Sequence, residues 1–195
     1  MITETADAED RQDMASLASG QDAALNQLMG RHAEKLFHYL LRVLQNEAEA
    51  SDLAQESFVR VYLHRNRFQS GKKFSTWLYA IATNLARDRL RWRERHPQSS
   101  LEAENPITGD NFKELLPSTS LSPSESLERS ETQQTIRDAV ASLPEDLRVP
   151  LVLAEYEEQS QAEIAAILGC SIKAVEMRIY RARKQLRVQL QRLLR

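Results

Sequence analysis

The feature that most constrains this chain is a break in its helical periodicity. Two stretches carry apolar residues at steps of three and four, and residues 97–125 between them carry almost none. That segment opens with Pro97 and contains Pro106, Gly109, Pro117, Pro123 and many serines. Proline removes a backbone donor and ends helices, and such clusters read as linkers. Leucine, alanine, glutamine, glutamate and arginine dominate the rest, glycine occurs five times, and valine-rich alternating runs are absent. The expectation is an all-α chain of two small helical domains joined by a flexible acidic linker. Residues 1–21 form an N-terminal tail or short helix, 22–96 the first domain, 97–125 the linker and 126–195 the second domain.

Within the first domain, Asp22 is a plausible N-cap. Leu25, Leu28, Met29, His32, Leu36, Leu40, Val43 and Leu44 follow as one stripe of a long helix. Asn46 and Glu47 mark a break. A second helix is expected from about Ala48 to about Arg65, with Leu53, Phe58, Val61 and Tyr62 inward. A loop, Phe68 to Phe74, precedes a third helix near Ser75, with Trp77, Leu78, Ile81, Ala82 and Leu85 on one side. In the second domain, Ile136, Val140 and Leu143 mark one helix. Pro144 suits the first turn of the next, which carries Leu147, Val149, Leu151, Val152 and Tyr156. A short helix around Asn111 to Leu116 in the linker is also compatible with the sequence.

The net charge of −2 conceals a segregation. Lys72 to His96 holds seven Lys/Arg against two acids, and Ser171 to Arg195 eight against one. Gln98 to Glu131, between them, holds two against seven. Two basic blocks on helical segments point to two anion-binding surfaces.

Other classes find little support. No apolar run approaches the roughly 18–20 residues of a membrane span. Met1 to Asp13 is polar and acidic, unlike a signal peptide. Cys170 is the only cysteine, so no intrachain disulfide can form, and a reducing cytoplasm fits. As a small core residue it lacks partners for redox or metal work. His32, His38, His64 and His96 are scattered, and there is no H-E-x-x-H, phosphate loop or nucleophile elbow. No catalytic residue, metal or cofactor is expected, and an enzyme, such as a helical hydrolase, is the weakest rival reading.

Gln161 to Arg183 reads as a helix-turn-helix. Ser160-Gln161-Ala162-Glu163 forms a capping box, Ile164, Ala165 and Leu168 face inward, and Gly169 supplies the turn. Ser171 caps the second helix, which Val175, Ile179, Ala182 and Leu186 pin to the core. Its outer face carries Lys173, Glu176, Met177, Tyr180, Arg181 and Lys184. Such a helix can enter a major groove, with the basic C-terminal part on phosphates. Alone, this says only that the chain binds DNA.

Two motifs of the first domain narrow the reading. Asp52, Gln55 and Glu56 lie at i, i+3 and i+4 and share a face, within Asp52-Leu53-Ala54-Gln55-Glu56-Ser57-Phe58. This D-x-x-Q-E-x-F run closely resembles the sigma-factor segment that grips the β′ coiled coil of bacterial RNA polymerase. Phe74 to Asn84 is similar to the F-x-x-W-L-x-x-I-A-x-N run of the −10-binding helix in sigma factors of the extracytoplasmic-function family. Phe74, Trp77, Leu78 and Ile81 suit burial. Asn84, Arg87, Asp88 and Arg91 line another side, where asparagine can pair with base edges and arginine with phosphates. Both domains share in the resemblance.

The resemblance implies a transcription initiation factor. Its partners would be core RNA polymerase (β′ clamp helices, β flap), duplex and single-stranded promoter DNA, and an anti-sigma factor wedged between the domains, with no membrane insertion. Asp52, Gln55 and Glu56 would touch the polymerase. Lys72, Lys73, Asn84, Arg87 and Arg91 would serve the −10 region, where the loop Gln69 to Phe74 would receive a flipped base. Ser171, Lys173, Glu176, Met177, Tyr180, Arg181 and Lys184 would serve the −35 element. The acidic linker would thread toward the polymerase active-site channel. Glu176 departs from the family, where many relatives carry Lys or Arg; a glutamate accepts from cytosine N4 but cannot hold phosphate. The leading rival is a helix-turn-helix regulator that acts as a dimer without binding core polymerase.

Overall fold

The computed structural model of the chain describes residues 2–96 and 125–191, with side chains for 6–96 and 132–191. Eight α-helices and one 3-10 turn make up the described residues, without strands. They are α1 (Ile2–Ala18), α2 (Ala23–Leu44), α3 (Glu47–Leu63), the 3-10 turn (Arg65–Arg67), α4 (Phe74–Arg95), α5 (Glu125–Ala141), α6 (Glu145–Glu155), α7 (Gln161–Leu168) and α8 (Ile172–Gln189). The all-α expectation holds. The expected linker, including the helix at 111–116, lies outside the described residues.

Three helices build the first core. Leu28, Leu36, Leu40, Val43 and Leu44 of α2 meet Leu53, Ala54, Phe58 and Val61 of α3 and Phe74, Leu78, Ala82 and Leu85 of α4, all buried. Each large side chain so buried contributes roughly 1.5–3 kcal/mol. The expected single stripe on α2 is too narrow, however, because Ala33, Phe37 and Tyr39 are also buried. Tyr39 is wholly enclosed, and its phenol meets Thr83 Oγ1 at 2.7 Å. Thr83 in turn donates to the Tyr79 carbonyl, 2.6 Å away, so the buried hydroxyls are satisfied. Burial pushes the Tyr39 phenol far up.

Helix boundaries follow local chemistry. Asn46, extended at φ −145°, accepts a hydrogen bond from the Glu49 N–H and starts α3. Asp22 does not cap α2: it has helical φ/ψ and makes no side-chain bond. The turn at Gly20 instead lets the Gln21 carbonyl accept from the Ala24 N–H. α4 stops at Arg95, two residues before Pro97, as the steric demand of proline on its predecessor requires. Pro144 occupies the N-cap of α6, one position before its expected place in the first turn. Arg148 is buried and donates to the Ala141 carbonyl at 2.7 Å, which closes the α5–α6 corner.

The N-terminal region is more than a tail. α1 lays Met14 and Leu17 into the core. Asp10, 1% exposed, meets Arg31 Nε at 2.9 Å and His32 Nε2 at 2.8 Å, and Asp13 takes a second Arg31 nitrogen. No stripe in Met1 to Asp13 announces this, because the helix docks through an ion-pair cluster as well as apolar contacts.

Burial alone would raise the Asp10 carboxyl, but hydrogen bonds and charge from His32 and Arg31 outweigh it and hold the group below the usual carboxylate range. A lowered folded pKa gives stability that is complete above the unfolded value of about 3.9 and drains away as pH falls through the folded value. The protection factors of the α1 amides, which remove the intrinsic pH dependence of exchange, should therefore show no loss from the Asp10 contacts between pH 7 and 5 and should fall below about pH 4. Asp10→Asn should abolish that acid dependence.

Candidate polymerase and nucleic-acid interface

The loop before α4 is held by aromatic packing. Phe74, fully buried, meets the rings of His32 at 5.1 Å and Phe68 at 6.2 Å, and Trp77 stacks obliquely on Phe68 at 5.4 Å. The Lys72 N–H bonds back to the Gln69 carbonyl, so Lys72 and Lys73 leave a tight turn at the foot of α4. Trp77 is thus a packing residue with part of its surface outward.

Along α4 the five expected −10 residues divide. Lys72, Asn84 and Arg91 are exposed, and Arg91 is only loosely paired with Asp88 at 3.5 Å. Lys73 and Arg87 instead meet the second domain. Lys73 Nζ lies 2.9 Å from Glu163 of α7 and 3.7 Å from Asp7 of α1, and these carboxylates raise its pKa. Arg87 Nε donates to Glu145 of α6 at 2.9 Å. Arg93, though in the basic block, pairs with Glu49 and donates to the Leu44 carbonyl, fixing α4 to the α2–α3 corner.

The same junction holds a buried polar cluster that sequence reasoning missed. The Tyr79 hydroxyl donates to Glu157 Oε2 at 2.6 Å, and Arg42 Nη1 lies 3.5 Å from Oε1. The Arg42 guanidinium also sits over the Tyr156 ring, 4.3 Å from its centroid. The Glu157 side chain is only 3% exposed. Burial raises its pKa, against the lowering pull of Tyr79, Arg42 and Lys35. Burial and the Glu157 charge push the Tyr79 phenol well above its ordinary range. Partners so far apart in sequence carry no local signal.

On α3, Asp52, Gln55 and Glu56 are half-exposed and share one face. Glu56 pairs with Arg60 at 2.9 Å. The face runs on through Val59 and Leu63, 50% and 64% exposed. Both apolar residues escaped the sequence reading, although the spacing 52, 56, 59, 63 continues the stripe. An exposed apolar pair beside acids is suited to docking.

The helix-turn-helix is built as expected. Ser160 accepts from the Glu163 N–H while Glu163 reaches back to the Ser160 N–H. Gly169 takes the left-handed conformation at φ 62°, and Ser171 accepts from the Ala174 N–H. Val175, Ile179 and Ala182 are buried, as is Ile167, which the sequence reading left out of the first helix. Lys173, Glu176, Met177, Tyr180, Arg181 and Lys184 form the outer face, with Tyr180 61% exposed. Lys173 pairs with Glu176 at 2.8 Å, and Arg183 with Glu155 of α6 at 2.5 Å. Among the described residues no cluster of His, Cys, Asp or Glu could hold a metal ion. No helix among them is long and apolar enough to cross a membrane.

Residues 28–96 match Sigma-70 region 2, and residues 133–186 match Sigma-70 region 4. The chain is 34% identical to the RNA polymerase sigma-H factor of Pseudomonas aeruginosa, over 96% of each chain. It is 36% identical to the extracytoplasmic-function sigma factor SigW of Bacillus subtilis, covering 88% of this chain and 91% of that one. This chain belongs to the extracytoplasmic-function family of RNA polymerase sigma factors. The sigma-E factor of Escherichia coli is likewise 36% identical, over 90% and 91% of the two chains. Among solved structures, CnrH in complex with the cytosolic domain of CnrY matches with TM-score 0.66 and 27% identity, over 94% of this chain and 97% of that one. RpoE in complex with the anti-sigma factor NepR, from Bartonella quintana, shares the fold at TM-score 0.65 and 23% identity, over 85% and 96%.

This sigma factor therefore acts with core RNA polymerase at promoters. Most of α2, with α3 and α4, lies within region 2, and α6, α7 and most of α8 within region 4. The turn of its helix-turn-helix depends on one backbone conformation. Nothing lies within 4 Å of a Cβ built on Gly169, so Gly169→Ala meets no clash and bears only the left-handed penalty of about 1–2 kcal/mol. The urea midpoint of the variant should fall correspondingly while the unfolding slope stays constant.

Proposed function

We propose that this sigma factor divides its work among three surfaces. The α3 face, Asp52, Gln55 and Glu56 with Val59 and Leu63, docks on the polymerase β′ clamp helices. The α4 face, Lys72, Lys73, Asn84, Arg87 and Arg91, takes the −10 non-template strand, and the loop 69–74 receives a flipped base. The outer face of α8 reads the −35 duplex, with Ser171, Lys173, Glu176, Met177 and Tyr180 toward base edges and Arg181 and Lys184 toward phosphates. The cytoplasm, where polymerase works, is its place of action. The family resemblance adds the β flap and an anti-sigma factor as partners.

The observation that carries this reading is the separation of two cationic helices, α4 and α8, from an acidic and apolar stripe on α3. Cations on a helix face draw the phosphate backbone and bring salt dependence. Aromatic and amide groups beside them suit bases. The stripe on α3 has no positive excess and suits a protein. A plain helix-turn-helix regulator has no use for that stripe, so polymerase binding separates the readings.

Two measurements test the assignment. Asp52→Ala with Glu56→Ala should weaken co-sedimentation with core polymerase about tenfold or more, as loss of central interface residues does, while leaving the helical circular dichroism intact. Undiminished binding removes α3 from the interface. Glu176→Lys should shift the preferred −35 sequence in a promoter library, since it exchanges an acceptor for a donor and frees Lys173 from its pair.

A further inference from the structure

Trp92 is 40% exposed near the C-terminal end of α4, whereas Phe74, Leu78 and Leu85 of the same helix are buried. An indole left in water forgoes the gain of burial, yet this ring is held in place. His96, one turn on, lies nearly flat against it, with ring centroids 4.8 Å apart and planes 21° from parallel. The His96 ring is fixed in turn: Nδ1 donates to the Trp92 carbonyl at 3.0 Å, and the His96 N–H reaches the same carbonyl. The pair forms an ordered aromatic plate.

Cations surround the plate. Residues 87–95 hold five arginines against Asp88 and Glu94. Arg89 and Arg93 turn to Glu49. Arg91 and Arg95 are exposed, and each gives its Nε to a carbonyl one turn back, that of Arg87 at 3.4 Å and of Arg91 at 3.2 Å. Those bonds occupy one nitrogen of each guanidinium, and the fork keeps further N–H donors for an oxyanion. Asp88 meets Arg91 Nη2 at 3.5 Å. A helix turns about 100° per residue, which puts Asn84, Arg91 and Arg95 within about 100° of Trp92 around the axis. Plate, cations and amide therefore share one side of α4.

We propose that Trp92, backed by His96, is a stacking platform for one unpaired base of single-stranded DNA, with Arg91 and Arg95 on the flanking phosphates. The inference rests on the assignment of Asn84 to the −10 strand and carries that strand beyond it. Asn84 and Trp92 are about 12 Å apart along the axis, so a strand on Asn84 reaches the plate within a few nucleotides. Every base has a π face, so stacking adds affinity without reading sequence, whereas Asn84 can pair with a base edge. A base on the plate is withdrawn from its complement, so the platform favours the opened strand. Duplex DNA is a poor occupant, because its bases already stack on one another. An apolar protein segment would leave Arg91 and Arg95 without a counter-charge.

The experiment uses the full chain and a single strand from the −10 region of a promoter that this factor transcribes in vitro, with its duplex for comparison. Trp77 and Trp92 are the two tryptophans. The single strand should quench part of the parent's tryptophan emission, and Trp92→Phe, which keeps Trp77, should remove that part. Trp92→Ala should weaken binding of the fluorescein-labelled strand, read by anisotropy, about fivefold or more. Trp92→Phe should recover most of the loss, since phenylalanine still stacks. Circular dichroism checks the helices of each variant. In a series of strands with one abasic position each, one position should abolish the quenching, and it should differ from the position at which Asn84→Ala loses its effect. Equal quenching by strand and duplex, or Trp92→Ala binding as tightly as the parent, overturns the platform. If Asn84→Ala weakens binding and Trp92→Ala does not, the −10 assignment stands and the platform alone falls. If neither weakens it, both fall.

Discussion

The structure depends on α4 having to satisfy two environments at once. Phe74, Leu78, Ala82 and Leu85 must be removed from water against α2 and α3, and the remaining circumference carries asparagine and arginine, with Lys73 at the N-cap. Because a helix repeats every 3.6 residues, these demands fall on separate faces, and the packing of one fixes the aim of the other. The aromatic knot of Phe68, Phe74 and Trp77 sets the foot of the helix, and the Arg93–Glu49 pair sets its far end. The side chains proposed for nucleic acid thus stand on a helix clamped at both ends, which preorganises them.

The second domain applies the same division on a smaller scale. α7 and α8 bury Ile164, Ile167, Val175, Ile179 and Ala182 against α6, leaving the outer face of α8 free. Three local devices, the capping box, the left-handed Gly169 and the Ser171 cap, set the angle between the two helices. Each is encoded within a few residues, and that accounts for how fully the helix-turn-helix could be read from the chain. The domains then meet through groups with no local meaning. The Tyr79 hydroxyl donates to Glu157, 78 positions away, at 2.6 Å.

A sigma factor must hold duplex and single-stranded DNA at separate stations while bound to polymerase. Separate helices serve that need, because each surface can be occupied in turn.

The sequence by itself determined the helices, the division into two domains, the helix-turn-helix and most of the residues that face outward. Periodicity, capping and turn chemistry act over three to seven residues, a range any reader of the chain can inspect. The tertiary structure alone decided that α1 belongs to the core through Asp10 and Arg31. It also decided that Val59 and Leu63 stay exposed, and that Lys73 and Arg87 meet glutamates while Asn84 and Arg91 do not. Those outcomes depend on which surfaces of distant helices come together, and pairwise attraction between charges leaves no period in the sequence to mark it.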